Sequence, residues 1–123
     1  MKKLIRIPLI AVLLLFISCE FEKVDMGYPK TIEFPKEGGE QVVYGNYGTL
    51  RGLYIREGSK TMAFSTDVDE GEIVQYDWLT VKSQEGSSAL IFTAEPSTQE
   101  SSRKLLFEGY SGPEYTSITV KQK

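Results

Sequence analysis

Near the end of the chain, Tyr115-Thr116-Ser117-Ile118-Thr119-Val120-Lys121 sets Ile118 and Val120 against Ser117 and Thr119. In an extended backbone that alternation sends apolar side chains to one face and hydroxyls to the other, as in a strand with one buried side. Residues 104–110 repeat it, with Leu105 and Phe107 sharing a face. Further back, Leu90 and Phe92 form a buried pair in residues 88–93. Residues 73–76 run into Trp78-Leu79-Thr80-Val81, where Leu79 and Val81 fall opposite Trp78. Met62 and Phe64 mark another strand, and in residues 50–56 Leu53 and Ile55 face away from Tyr54 and Arg56. Ile32 and Phe34 alternate with Thr31 and Glu33. Pro35-Lys36-Glu37-Gly38-Gly39 then turns the chain into a strand over residues 40–44, so the two read as adjoining strands. From Thr31 onward no long stretch keeps helical period. The pattern predicts an all-β domain of about seven to nine short strands folded as a β-sandwich. At Val42-Val43, Ile73-Val74 and Leu105-Leu106 apolar residues fall on both faces, and pattern alone leaves the inward member open.

The composition narrows the chemistry. The 123 residues include no histidine and one cysteine, which removes His-dependent triads, His-ligated zinc and intramolecular disulfides. The length suits one domain. Hydrophobic content of 41% and charged content of 25% are those of a globular chain, and a formal charge of -3 gives no reason to expect nucleic acid.

Residues 1–18 have the layout of an export signal. Lys2, Lys3 and Arg6 precede an apolar run over residues 7–17, and Ser18 stands immediately before Cys19. The run is about half the roughly 20 residues that a membrane-spanning helix needs. Phe16-Ile17-Ser18-Cys19 resembles the bacterial lipobox, with Phe16 in place of the usual leucine. The resemblance implies a lipidated Cys19 as the mature N-terminus; the competing reading is a buried or free thiol, which a secreted domain seldom keeps. Loss of Lys2, Lys3 and Arg6 would lower the formal charge by three, from -3 to -6. Such a surface is expected to repel anionic headgroups and polyanions, so membrane attachment would rest on acyl chains, each buried methylene contributing about 0.8 kcal/mol. The acidic Glu20-Phe21-Glu22-Lys23-Val24-Asp25 resembles the signal that sends Bacteroidetes lipoproteins to the cell surface. Residues 20–29 could span at most about 33 Å. The expected organisation is a signal peptide (1–18), a lipidated cysteine with a short tether (19–29) and a β-sandwich domain (30–123), held at the outer membrane or cell surface.

Three segments resemble the BACON family, the Bacteroidetes-associated immunoglobulin-like sandwich often found beside carbohydrate-active modules. They are Ile32-Glu33-Phe34-Pro35-Lys36-Glu37-Gly38-Gly39-Glu40, Asp77-Trp78-Leu79-Thr80-Val81, and Ala94-Glu95-Pro96-Ser97-Thr98-Gln99-Glu100-Ser101-Ser102-Arg103. They match a Phe-Pro-x-x-Gly-Gly turn, a Trp-Leu-x-Val strand and a Ser/Thr-rich loop ending in Arg. The resemblance covers residues 30–122 and implies an immunoglobulin-like topology. Residues 50–72 depart from it, with room for an extra hairpin that could carry function.

Asp67-Val68-Asp69-Glu70-Gly71-Glu72 begins like a calcium loop but has no bidentate Glu at the required spacing, so a hydrated acidic turn is expected and no metal or cofactor is implied. No pair of carboxylates can be assigned acid and base roles, and the protein is expected to be non-enzymatic. Sugar binding needs flat aromatic faces with polar neighbours. The tyrosines at 28, 44, 47, 54, 76, 110 and 115 and Trp78 supply the choice. Trp78 belongs to the signature strand and is expected to pack. Tyr47, in the Gly-Asn-Tyr-Gly turn, is the leading candidate, with Tyr44 and Tyr54 on strands that could flank it. Two functions remain open: a glycan-binding surface lipoprotein, and a structural or protein-interaction module of an envelope complex. Exposed tyrosines beside Asn, Gln or Arg would favour the first, exposed apolar side chains in residues 50–62 the second. An adhesin role, needing an unpaired strand edge, is a third.

Overall fold

The alternation over residues 31–34 holds in three dimensions, with Ile32 and Phe34 buried and Thr31 and Glu33 exposed. The computed structural model describes residues 25–46, 48–112 and 114–123. The expected leader over residues 1–18, Cys19 and Tyr47 lie outside the described residues. Ten strands follow a short 3-10 turn at Asp25–Gly27: β1 (Thr31–Phe34), β2 (Gly39–Val43), β3 (Arg51–Glu57), β4 (Lys60–Phe64), β5 (Thr66–Val68), β6 (Gly71–Tyr76), β7 (Leu79–Ser83), β8 (Leu90–Ala94), β9 (Arg103–Ser111) and β10 (Glu114–Gln122). They form two five-stranded sheets, ordered β1-β10-β9-β3-β4 and β2-β8-β7-β6-β5. The first strand runs parallel to the last, Ile32 opposite Val120, and the other pairs are antiparallel. This is an all-β sandwich.

The core lies between the sheets. Leu53, Ile55, Leu105, Phe107, Ile118 and Val120 project from one; Val74, Leu79, Val81, Leu90 and Phe92 project from the other. Phe92 and Phe107 meet edge to face across it, 5.3 Å between centroids. Where the sequence left two neighbours undecided, Val43 rather than Val42, Val74 rather than Ile73 and Leu105 rather than Leu106 turn inward.

Two expectations are corrected. β1 and β2 do not adjoin: β1 pairs with β10 and β2 with β8, in different sheets. Residues 35–38 close a turn, Gly38 N–H to Pro35 O at 3.0 Å, and the loop after β8 holds it through Ser97 N–H to Lys36 O at 2.8 Å. The turn thereby lifts the chain from one sheet to the other. Gly38 has φ +80, and a Cβ there would stand 2.3 Å from Ala94 O, so the crossing requires glycine. Trp78 is likewise not on the strand face opposite Leu79. It sits in the two-residue turn between β6 and β7, after Asp77 at φ 54, and is buried alongside Leu79.

The three signature segments converge at one end of the sandwich. The Arg103 guanidinium lies over the Trp78 ring, 4.8 Å from its centroid. Arg103 Nε donates to Gln122 Oε1 at 2.8 Å. Gln122 is fully buried, and its amide donates to Pro35 O at 3.0 Å and Glu95 O at 2.8 Å. Glu95 N–H in turn donates to Trp78 O at 2.9 Å. The motif residues thus form a structural plug.

Two stability effects follow from buried polar groups. Thr116 Oγ1 is buried without a hydrogen-bond partner among the described residues. Thr116→Val keeps the shape and removes the orphan hydroxyl, and should stabilise by about 1 kcal/mol in urea unfolding. Tyr28 is fully buried, with its hydroxyl donating to Ser88 O. Burial pushes its phenol from 10.0 up to about 12. A group raised on folding contributes stability that is whole below its unfolded value and lost as pH climbs through its folded value, here between 10.0 and about 12. The thermal midpoint should fall across that window. Tyr28→Phe should flatten the fall, leaving the part due to Tyr76, which burial and the Glu57 hydrogen bond also raise.

Candidate functional site

Strand parity decides what the first sheet shows to solvent. With Leu53 and Ile55, Leu105 and Phe107, and Ile118 and Val120 turned inward, Tyr54, Glu108, Tyr110, Tyr115 and Ser117 must point outward. Register then brings the rings together. Tyr54 lies opposite Phe64 on β4 and opposite Glu108 on β9; Tyr110, two residues on, lies opposite Tyr115 on β10. Centroid separations are 5.2 Å for Tyr54–Phe64, 5.6 Å for Tyr54–Tyr110 and 5.6 Å for Tyr110–Tyr115. Four aromatic rings in unbroken contact therefore cross four strands.

Relief along this strip is uneven. Phe64 is 68% exposed, Tyr115 45% and Tyr110 37%, whereas Tyr54 is half-buried and stands edge-on to both its neighbours. Polar groups border it. Arg56 Nε donates to Glu108 Oε1 at 2.9 Å beside Tyr54, and this contact holds the guanidinium above its usual range. Ser117 stands opposite Glu108 on the next strand. Apolar C–H faces of a sugar could rest on such rings while its hydroxyls meet the charged pair and the tyrosine hydroxyls.

The other candidates fall elsewhere. Tyr44 is 63% exposed but follows β2 in the second sheet, where it borders a groove of about 650 Å³ between β1 and β2, lined also by Pro29, Ile32, Gln41 and Val43. Tyr44 and Tyr54 thus stand on different sheets and do not flank a common turn; Tyr54 meets Phe64 and Tyr110 instead. Trp78 is buried in the plug. In the acidic run, Asp67, Asp69 and Glu70 are exposed around the β5–β6 turn, but Glu72 departs from the expected hydrated turn. Its buried carboxylate accepts from Gly52 N–H at 2.8 Å and Ser65 Oγ at 2.6 Å, with Arg51 at 3.7 Å, and so clasps β3 to β6. Among the described residues no group of three or more acidic, His or Cys side chains could hold a metal ion.

Phe64 was missed by the sequence reading, since Met62 and Phe64 read as strand markers of no particular face. Tyr110 and Tyr115 were among the available aromatics without being singled out, although their parity was readable from Phe107 and Ile118.

No protein-family model and no curated protein matches the chain. Among solved structures, the chain is similar to one described as the NMR structure of the protein from Bacteroides thetaiotaomicron. The two share 12% identity at a TM-score of 0.53, with 84% of each chain covered. That likeness concerns the fold.

Proposed function

We propose that this protein is a non-catalytic lipoprotein of the cell envelope that binds polysaccharide on the aromatic strip of Phe64, Tyr54, Tyr110 and Tyr115. Cys19 carries the lipid anchor, at the outer membrane or cell surface, and the domain holds glycan close to it. The observation that carries the reading is the unbroken ring-to-ring contact across the outer sheet face, bordered by the Arg56–Glu108 pair. Cross-strand aromatic pairs contribute only about 0.2–1 kcal/mol each to a sheet, and a contiguous run of partly exposed rings is also the kind of surface that ligands use. The lipobox-like Phe16-Ile17-Ser18-Cys19 and the likeness of the three plug segments to BACON sequences point the same way.

A second reading is a protein-interaction module of an envelope complex. Phe64 favours it, being the most exposed large apolar side chain among the described residues, without a hydroxyl and on the edge strand β4.

Affinity electrophoresis against plant, host and microbial polysaccharides separates the two. The glycan reading expects retardation that Tyr110→Ala abolishes, at a folding cost of about 1 kcal/mol or less for the lost cross-strand pair. No retardation on a broad panel, with capture of one envelope protein that Phe64→Ala disrupts, would transfer the function to the second reading.

A further inference from the structure

The two strands that carry Tyr110 and Tyr115 also bring two lysines together at their far ends. Lys104 on β9 and Lys121 on β10 are directly opposite each other in the register. Both are exposed, on the same outward parity as the tyrosines. Like charges directly opposed destabilise a sheet. Neither lysine forms an ion pair among the described residues. Glu33 stands opposite Lys121 on β1, and Glu108, the acidic residue between lysines and rings on β9, is engaged by Arg56. Shallow concavities flank the pair: one of about 330 Å³ bounded by Ser102, Arg103, Lys104 and Lys121, and one of about 260 Å³ bounded by Gly58, Lys104, Leu106 and Thr119. Six residues separate ring from lysine on each strand, about 20 Å.

We propose that the polysaccharide is acidic, its sugar rings resting on the aromatic strip and its carboxylate or sulfate groups meeting Lys104 and Lys121 farther along the same face. This rests on the glycan reading above and deepens it. An acid group between the two ammonium groups removes their mutual repulsion, which Glu33, opposite Lys121 on β1, offsets from one side only. The net negative charge of the chain works against a polyanion at long range, but this effect is limited. At physiological ionic strength fields are screened over about 8 Å, so a bound group responds to the lysines beside it more than to distant carboxylates.

Affinity electrophoresis of the full chain in detergent tests the proposal with matched gels: polygalacturonate against its methyl ester, and dextran sulfate against dextran. The expected result is stronger retardation by at least one acid form than by its neutral counterpart. Selectivity should fall roughly three- to tenfold in the Lys104→Ala, Lys121→Ala double variant, and fall again as salt is raised. Equal retardation by acid and neutral forms, abolished by Tyr110→Ala, would overturn the acidic ligand and leave the ring strip standing. Acid-selective retardation lost in the lysine variant but unmoved by Tyr110→Ala would overturn the strip and leave the lysine pair. Acid selectivity unchanged in the lysine variant would overturn the proposal.

Discussion

Trp78→Ala should cost about 3–5 kcal/mol of folding stability, the range for removing a buried large aromatic side chain. The indole fills the end of the sandwich under the Arg103 guanidinium, and two of its neighbours are held in place, Glu95 by its N–H on Trp78 O and Arg103 by Gln122. Urea unfolding monitored by far-ultraviolet circular dichroism reads the effect directly. A cost below about 1 kcal/mol, the scale of a surface substitution, would show that the ring is presented rather than packed. The variant's glycan retardation, measured where it remains folded, should be unchanged.

Gln122→Ala should cost about 2–4 kcal/mol through a different cause, the loss of a fully buried amide that joins three groups in one network. One side-chain amide satisfies Pro35 O and Glu95 O while accepting from Arg103. Alanine leaves all three without that partner. Gln122→Glu separates hydrogen bonding from packing: the shape survives, but at neutral pH a carboxylate would face two carbonyl oxygens, so it should be at least as damaging as alanine. A mild Gln122→Glu beside a severe Gln122→Ala would mean that only volume matters at this end.

The strands were legible because most have one wet face. Residues 115–121 alternate cleanly and residues 104–110 do so apart from Leu106; both became strands, with Leu105, Phe107, Ile118 and Val120 inside. What pattern could not supply was the pairing of strands distant in sequence. The turn at residues 35–39 looks like a hairpin because Gly and Pro mark a reversal without saying into which sheet; the Gln122 amide, 87 residues away from Pro35, takes part in deciding it. Trp78 misled in a similar way. A period-two pattern assigns faces only within a strand, and Trp78 lies in a turn.

The candidate site divides along the same line. Outward parity of Tyr54, Tyr110 and Tyr115 follows from their inward neighbours, and the short connection between β9 and β10 suffices to place Tyr110 opposite Tyr115. That β3 lies beside β9, bringing Tyr54 and with it Phe64 into the strip, is a fact of topology. Choosing Tyr44 and Tyr54 by nearness in sequence therefore gathered residues of both sheets; of these two Tyr54 belongs to the strip, and Tyr47 lies outside the described residues.

The central claim is that the outer face of the β10-β9-β3-β4 strands binds glycan. The most direct measurement is a nuclear magnetic resonance titration of the isotope-labelled protein with an oligosaccharide cut from whichever polysaccharide retards it. The account predicts saturable shifts in the aromatic resonances of Tyr54, Phe64, Tyr110 and Tyr115 and in the backbone of Glu108. Shifts confined to the groove around Pro29 and Tyr44, or no polysaccharide that retards the protein at all, would contradict it.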